Sequence, residues 1–365
     1  MDNSNNASDN AGLTAFNSYH NTGCVALVHP VESDVDQLKS IWMNTFGDTS
    51  DYVDLLFENY FDSDCCLCAV NNGNIVASLT GIPYDFKIGC KIVKGLYLCG
   101  LSTDIAFRRR GIMRRMISEI ENHCRMNGFY MTFLIPADDD LRRYYHDIGY
   151  ENSALLRRSF ISDEIFNMIS EEMSRSVAQR SGSINTVFSG LHIMDFVGFH
   201  NVDFDEKCKI ISTCRTYEYE SSEMVILHSF RDWELIIMDK LSDRGLLIYD
   251  EDSGVIIIPG GECHTLYGSS ESIMNMLKRI PGSESNLCCR CEDHQYGMVK
   301  ILFANDCKKS EKYQGSENRI FQSDCTILSE YRKMNSDEIC NENGEISDCT
   351  CAVNTCDINF RLMLD

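Results

Sequence analysis

The segment Arg108–Met113 reads Arg-Arg-Arg-Gly-Ile-Met and follows an apolar run from Leu96 to Phe107. Behind it, Ile112–Asn127 carries apolar residues at helical spacing, so a strand is predicted to turn into a helix here. The first amides of a helix have no intrahelical partner, and the helix dipole adds partial positive charge at that end. With arginines and a glycine beside them, these amides are suited to bind an anion, and a diphosphate is the obvious ligand.

The spacing of this glycine excludes two common phosphate motifs. The dinucleotide fingerprint needs G-x-G-x-x-G and the P-loop needs G-x-x-x-x-G-K-[ST], and this segment has neither. Read as R-x-x-G-x-x, with Arg108 first and Gly111 fourth, it resembles the pyrophosphate loop of the GNAT superfamily of acetyl-CoA-dependent N-acetyltransferases. The pattern of that family is Q/R-x-x-G-x-G/A, and Met113 departs from it at the last position. A turn with solvated arginines is the alternative interpretation.

The elements predicted around the turn follow the GNAT order. Helices are predicted at Ser33–Phe46, with Gly47 as the stop, and from Ser50 or Asp51 to Tyr60. A hairpin signal lies at Asn71–Asn74. The helix behind the turn is predicted to end at Gly128, to bury Ile112, Met116, Ile117, Ile120 and Cys124, and to expose Arg114, Arg115, Glu119 and Glu121. A buried strand at Phe129–Ile135 and a short helix capped by Asp138–Asp140 follow it. The strands predicted before the turn form a meander of short pieces: Cys66–Val70, Ile75–Ile82, Tyr84–Ile88, Lys91–Val93 and Leu96–Ile105.

The end of this region carries a more specific resemblance. Phe133–Ala137 reads FLIPA and Tyr144–Tyr150 reads YYHDIGY. Both are similar to the end of GNAT domains in a multidomain branch that includes the enhanced intracellular survival proteins, with Ile148 in place of a phenylalanine. The resemblance covers roughly residues 23–150. It implies an α/β (α+β) GNAT fold with a central mixed sheet, followed by a second, degenerate GNAT-like domain and a C-terminal segment.

The predicted domain organisation has four parts. Residues 1–22 are polar and are expected to be a disordered leader, and residues 23–155 are the catalytic GNAT domain. Residues 156–305 repeat helix and hairpin signals without an R-x-x-G-x-G motif, which fits a second GNAT-like domain without a CoA site. That domain either completes the substrate pocket or only supports packing. Residues 306–365 are an acidic loop and an apolar C-terminal strand expected to dock toward the active site.

The resemblance also implies roles for individual residues. A backbone N–H near Leu101, Ser102 and Thr103 would bond the acetyl carbonyl and the developing oxyanion. Tyr145 matches the family tyrosine that protonates the departing sulfur, and a half-buried helix aromatic is the alternative. At most two of the arginines are expected to reach phosphates. The residues expected to hold the pyrophosphate are Arg108, Arg109, Arg110, Gly111, Ile112, Met113 and Arg114.

A protonated amine needs a base before it can attack the thioester. In the family that this chain resembles, the C-terminal carboxylate enters the active site, so the α-carboxylate of Asp365 is the candidate, acting directly or through a water. A solvated edge strand is the alternative for this terminus. His146 is the second candidate, although it neighbours Tyr145 on a helix and is expected to point elsewhere. Asp104 is interpreted as a turn cap.

Composition narrows the classes of partner. The chain has 365 residues and a net charge of −22, which argues against nucleic acid and is compatible with a cationic substrate. No apolar run approaches the ~20 residues of a membrane span, and no signal peptide is recognised, so a cytoplasmic location with reduced thiols is expected for the 19 cysteines. The cluster of Cys288, Cys289, Cys291 and His294 has irregular spacing, and no metal is predicted there.

The sequence therefore predicts transfer of an acetyl group from acetyl-CoA to a primary amine by direct attack in a ternary complex. The acceptor is a small-molecule or peptide amine that the sequence does not name. One alternative is a non-catalytic, acyl-CoA-binding regulatory module. Another keeps the fold and transfers a different acyl group, from a longer acyl-CoA or from an aminoacyl-tRNA, which the net charge disfavours. The oligomeric state stays open, a homo-oligomer included.

Overall fold

The computed structural model describes residues 25–88, 91–152, 155–162, 166–171, 185–188, 190–220, 225–280, 290–295 and 297–302. The chain divides into two compact units. The first unit contains the chain up to Ile82 together with Leu98–Asn122. The second contains Pro83–Tyr97 and the chain from His123 onward.

Strands β3 and β4 each contribute to both units. The helices, in chain order, are α1 (Val35–Phe46), α2 (Ser50–Tyr60), α3 (Ile112–Met126), α4 (Asp139–His146), α5 (Phe196–Asn201), α6 (Phe204–Glu220), α7 (Phe230–Ser242) and α8 (Ser270–Lys278). The strands are β1 (Ala26–Val28), β2 (Leu67–Asn71), β3 (Asn74–Ile88), β4 (Lys91–Thr103), β5 (Met131–Leu134), β6 (Glu151–Asn152), β7 (Leu155–Phe160), β8 (Asn185–Phe188), β9 (Leu191–Met194), β10 (Val225–Leu227), β11 (Leu246–Tyr249), β12 (Gly254–Ile257), β13 (Glu262–Tyr267), β14 (Arg290–Gln295) and β15 (Met298–Ile301).

In the first unit, β1 pairs antiparallel with β2, and β2 pairs antiparallel with the beginning of β3. Helix α1 ends at Gly47, whose φ of +79° allows the left-handed turn predicted there. Thr49 caps α2 by accepting a hydrogen bond from the N–H of Tyr52. The two helices bury one apolar side each, comprising Leu38, Trp42, Val53, Leu56 and Phe57.

Helix α3 buries the side predicted for it, which comprises Ile112, Met116, Ile117, Ile120 and Cys124. It ends before Gly128, as predicted. The prediction that Glu121 is exposed was wrong, because its exposed fraction is 3%. Glu121 lies four residues after Ile117 and three before Cys124, and that spacing places it on the apolar side of the helix.

The first strand of the predicted meander is β2, whereas the other four pieces form two long strands. β3 runs unbroken over 15 residues and β4 over 13. Pro83 lies inside β3, where a residue without an N–H would weaken a ladder. However, the pairing of β3 with β2 ends at Leu79 and its pairing with β10 begins at Asp85. Pro83 therefore falls between the two ladders and does not break the strand.

In the second unit, β4 pairs in parallel with β5, from Gly95–Met131 to Tyr97–Phe133. β15 pairs antiparallel with β5 and β6, and β10 pairs antiparallel with β3. The predicted division placed the segment of β15 in the second domain, as part of residues 156–305, whereas its hydrogen bonds join it to β5. Such pairing between distant segments depends on the assembled sheet and carries no local signal.

The second unit also holds another sheet, in the order β14-β7-β13-β12-β11-β9-β8. Every pairing in this order is antiparallel. Helix α7 begins with a capping box, in which Ser229 and Asp232 exchange side-chain and backbone hydrogen bonds. Trp233 of α7 is fully buried in a core that includes Ile236, Leu247 and Leu266.

Candidate functional site

The turn between β4 and α3 has the backbone of a tight reversal. Asp104 accepts a hydrogen bond from the N–H of Ala106 at 2.8 Å, so it caps the short 3-10 turn Ile105–Phe107, as its sequence position predicted. Arg109 and Gly111 then have left-handed φ values of +59° and +73°. A non-glycine residue is uncommon in that region, so the conformation of Arg109 is a constrained one.

Two of the three consecutive arginines brace this turn. The Nε of Arg108 donates to the carbonyl oxygen of Thr103 at 2.8 Å. Arg110 donates to the carbonyl oxygen of Ala106 at 2.6 Å, and its guanidinium lies 5.0 Å from the ring centre of Phe107. The side chains stay exposed and have further N–H donors to offer. The arginines therefore hold the shape of the turn as well as supplying positive charge.

The start of α3 presents backbone amides ahead of the helical ladder. The N–H of Arg115 bonds the carbonyl oxygen of Gly111 at 3.1 Å, so the amides of Ile112, Met113 and Arg114 have no acceptor within the helix. Ile112 is buried and Met113 is half-buried. The larger residue at the sixth position of the motif is therefore accommodated by packing, and the amides form an arrangement suited to an anion.

Strand β4 is distorted at Gly100, a residue that the sequence analysis did not single out. Its φ is +58°, and a Cβ there would lie 2.1 Å from the ring of Trp42. Only glycine fits this close approach, and the unusual backbone re-aims the peptide groups that follow. Those groups belong to Leu101–Thr103, where the acetyl carbonyl was predicted to bind. A glycine inside an apolar strand was the available signal.

Tyr145 lies on α4 in the second unit, with an exposed fraction of 6%. Its ring packs edge-on against Tyr144 and Tyr150, at centroid distances of 5.2 and 5.9 Å. Burial, followed by Tyr144 and Asp138, raises the pKa of this phenol above its ordinary value, so it keeps its proton at neutral pH. Among the described residues, its hydroxyl makes no hydrogen bond. His146 is exposed and so lies on another side of the helix, as predicted.

Tyr150 has a structural role by contrast. Its hydroxyl shares a buried hydrogen bond of 3.0 Å with the Oγ1 of Thr132. Lys300 donates to the carbonyl oxygen of Ile148 at 2.8 Å and lies 5.6 Å from the Tyr150 ring centre. The YYHDIGY segment thus contains Tyr145, whose hydroxyl is available for chemistry, and Tyr150, whose hydroxyl stabilises the fold.

Glu218 is a buried carboxylate in the second unit that the sequence did not indicate. Glu218 accepts hydrogen bonds from the Nδ1 and the backbone N–H of His228, at 2.6 and 3.1 Å, and from the indole N–H of Trp233 at 3.1 Å. Both oxygens are therefore used, and the group joins α6 to the beginning of α7. We assign it to stability, since its exposed fraction is 1% and these hydrogen-bond donors all belong to the fold of this unit. Because Glu218 lies ten residues from His228 and fifteen from Trp233, no short sequence motif contains this group.

The structure brings Leu101–Thr103 and Arg108–Arg114 together in the first unit, while Tyr145 belongs to the second. Asp365, Cys288 and Cys289 lie outside the described residues. Within the described part of the chain, no group of three or more His, Cys, Asp or Glu residues could hold a metal ion. None of the described helices is both long and apolar enough to cross a membrane.

Comparisons with known proteins agree with this geometry. Residues 29–153 match the acetyltransferase (GNAT) domain family, and no curated protein sequence matches the chain. Eis1 from Mycobacterium abscessus has a similar fold at 9% identity, over 78% of this chain and 75% of Eis1, with a TM-score of 0.53. A GCN5-related N-acetyltransferase from Anabaena variabilis ATCC 29413 is 13% identical, over 78% and 74% of the two chains, with a TM-score of 0.54. A conserved protein of unknown function from Enterococcus faecalis V583, described as a probable N-acyltransferase, is 9% identical over 76% and 72%, with a TM-score of 0.54.

At these identities the structural likeness concerns the fold alone. It extends well beyond residues 29–153, in agreement with a second GNAT-like domain in this chain. The family match itself contains β4, the braced turn and Tyr145. Residues 29–153 therefore match an acetyltransferase (GNAT) domain, and the fold of the chain is similar to that of Eis1.

Proposed function

We propose that this chain transfers an acetyl group from acetyl-CoA to a primary amine. The observation that carries the proposal is the turn before α3, where Arg109 and Gly111 adopt left-handed φ values and the helix begins with unbonded amides. A diphosphate matches these amides in charge and in the number of acceptor oxygens. Binding the CoA pyrophosphate here would fix the thioester relative to the protein, which reduces the entropy cost of the reaction.

The protein assists both the attack of the amine and the departure of the CoA thiolate. The amine nitrogen attacks the thioester carbonyl carbon, and a backbone N–H of Leu101–Thr103 stabilises the oxyanion that forms. As the C–S bond breaks, Tyr145 donates to the sulfur, and the ammonium proton of the acceptor leaves to a base. The net negative charge of −22 favours a cationic acceptor in the encounter complex.

The raised pKa of Tyr145 refines its assigned role. A thiol has an ordinary pKa of about 8.5 and a tyrosine one of about 10, so a full proton transfer to the thiolate is uphill even before burial. Burial raises the cost of the tyrosinate further. Tyr145 therefore acts as a hydrogen-bond donor to the leaving sulfur. A transfer of its proton to the sulfur would have to occur together with the arrival of a new proton at the tyrosine oxygen.

The test combines a binding assay with a transfer assay on the full chain. Calorimetric titration with CoA, and with CoA that lacks the pyrophosphate, measures the role of the turn. Single-turnover reactions with acetyl-labelled acetyl-CoA are then run against a polyamine, an aminoglycoside, free lysine and a peptide with a free N-terminus. Label transfer to any amine supports the proposal, and longer acyl-CoAs in the same assay test the donor.

A specific outcome would favour the alternative function. Tight CoA binding without transfer to any member of the panel would indicate an acyl-CoA-binding regulatory module. The absence of CoA binding, or equal binding of CoA with and without its pyrophosphate, would refute both functions. Metal is omitted from one arm of each assay, because no metal is part of the proposed chemistry.

A further inference from the structure

A cavity of about 340 Å³ lies in the second unit, wholly within the residues that follow β8. It is formed where β9 begins and where β11 and β13 end, and α6 lines it from one side. Its volume is at the lower end of the range for small-molecule sites, and it would enclose an amino acid or a molecule of similar size. The acetyl transfer chemistry proposed above uses none of its residues.

The floor of this cavity is a single row of residues across the sheet. His192 on β9 pairs with Tyr249 on β11, Tyr249 pairs with Gly254 on β12, and Gly254 pairs with Tyr267 on β13. Residues in one cross-strand row project to the same face of a sheet. Because Gly254 has no side chain, the ring of Tyr267 lies across it, at 2.5 Å from where a Cβ would be. The row is aromatic, and His192 is its exposed member, since Tyr249 and Tyr267 are each 4% exposed.

The two tyrosine hydroxyls of this floor are already engaged, which leaves the exposed His192 ring as its contact surface. The Tyr249 hydroxyl donates to Glu206 at 2.9 Å, and the Tyr267 hydroxyl donates to the carbonyl oxygen of Asp250 at 2.9 Å. The His192 ring stacks on Tyr249, with a centroid distance of 4.9 Å and an interplanar angle of 22°. A flat ring in the cavity would extend this stack.

Charges of both signs line the walls without neutralising one another. Lys209 on α6 forms no ion pair within the described part of the chain, and neither do Glu251 and Asp252 on the turn after β11. Arg279 is different, since it pairs with Asp250 at 2.6 Å. The walls thus offer one unpaired cation and two unpaired carboxylates in a small volume. A ligand with both an ammonium and a carboxylate group would pair with each sign.

We propose that this cavity binds a free aromatic α-amino acid, with its ring against His192, its carboxylate toward Lys209 and its ammonium toward Glu251 and Asp252. The ring accounts for the floor, and the zwitterion accounts for the separated charges. The site is distinct from the turn at Arg108–Arg114, and the inference does not depend on acetyl transfer.

The experiment is calorimetric titration of the full chain, without acetyl-CoA, against four probes. Phenylalanine carries every group, phenylalaninamide lacks the carboxylate, N-acetylphenylalanine lacks the ammonium, and leucine lacks the ring. We expect phenylalanine to bind with one site per chain, and each of the other three to bind about tenfold more weakly or worse. Equal affinity for phenylalanine and its two blocked derivatives, or no saturable binding at millimolar concentration, would overturn the proposal.

Two variants place the binding in this cavity. Lys209→Met should weaken phenylalanine about tenfold and leave phenylalaninamide unchanged, because only the carboxylate contact is lost. Asp252→Asn combined with Glu251→Gln should weaken phenylalanine and leave N-acetylphenylalanine unchanged. Lys278→Met, at an exposed lysine of α8 that does not line the cavity, is the matched control. All these side chains are exposed, so folding is retained. Unchanged phenylalanine affinity in Lys209→Met would refute the site.

Discussion

Replacing Tyr145 with phenylalanine separates catalysis from stability at one atom. The variant keeps the ring that packs on Tyr144 and Tyr150 and removes only the hydroxyl, which has no hydrogen bond among the described residues. A hydroxyl without a hydrogen bond to the described residues contributes little to the fold, so its removal should change the free energy of unfolding by less than about 1 kcal/mol.

The expected effect on the reaction is larger. A hydrogen bond to a charged acceptor contributes about 1.5–3 kcal/mol, and the departing thiolate is such an acceptor. Because 1.36 kcal/mol corresponds to tenfold in rate, Tyr145→Phe should lower the single-turnover rate by roughly 10- to 100-fold. CoA affinity should stay within about twofold, since the hydroxyl is assigned no contact with the pyrophosphate.

The neighbouring tyrosine supplies the matched control. Tyr150→Phe removes a buried hydrogen bond to Thr132 and leaves the Oγ1 of that threonine without this partner. We expect it to lower the free energy of unfolding by about 1–2 kcal/mol and to leave the rate per folded molecule nearly unchanged. The two variants should therefore show opposite patterns of rate and stability.

The assay follows label from acetyl-CoA to the best amine of the panel, and urea unfolding measures stability. Reagents that trap the released thiol are avoided, because the chain itself has 19 cysteines. A Tyr145→Phe rate within twofold of the parent chain would refute the donor assignment. A rate loss that equals the fraction unfolded would refute it as well, since the hydroxyl would then serve only the fold.

Three further predictions concern the turn, the pH profile and the buried carboxylate. Gly111→Ala should weaken CoA binding about tenfold in calorimetry, since a left-handed alanine costs about 1–2 kcal/mol and a backbone shift that relieves this strain would misalign the amides. Gly73→Ala, at an equally left-handed glycine of a hairpin, should leave CoA affinity unchanged, and an equal loss of affinity in Gly73→Ala would contradict this reasoning. Because burial raises the pKa of Tyr145, the single-turnover rate should not fall as pH rises to about 10. A fall in this rate with an apparent pKa of about 8, which is absent in Tyr145→Phe, would contradict the role assigned to Tyr145. Glu218→Gln should lower the free energy of unfolding by about 2–4 kcal/mol in urea titrations, because its amide would face the donors of His228, and an unchanged midpoint would show that the pair contributes nothing.

The boundaries that the sequence predicted well are those set by local chemistry. Gly47 and Gly128 end helices with left-handed backbones, and Asp138 caps α4 through the N–H of Leu141. Each of these signals involves residues within a few positions of one another, so a single sequence contains it in full. The turn at Arg108–Met113 belongs to the same class, which is why its strand–turn–helix geometry was predictable.

The features that the sequence did not predict depend on distant partners. The pairing of β15 with β5 joins segments more than 160 residues apart, and the Glu218–His228 pair forms only once α6 and β10 are packed. Hydrophobic periodicity identifies which side of an element is buried, but it does not identify the element that covers that side. The hydrogen bond of Arg108 to a backbone carbonyl was not predicted for a different reason. A run of arginines indicates positive charge, but it does not indicate which carbonyl oxygen will accept a hydrogen bond from them.

That bracing changes how the turn itself is understood. If the arginines served only to attract phosphate, the loop would have to be ordered by its ligand, and part of the binding free energy would be lost to that ordering. Instead Asp104, Arg108 and Arg110 bond backbone groups of the same turn, so contacts within the turn hold its shape. The left-handed conformation of Arg109 is thereby held by its neighbours, and the same contacts fix the direction of the amides at the start of α3. Affinity for CoA should therefore depend more on backbone geometry than on the number of arginine charges, which is also why the glycine matters more than the departure at Met113.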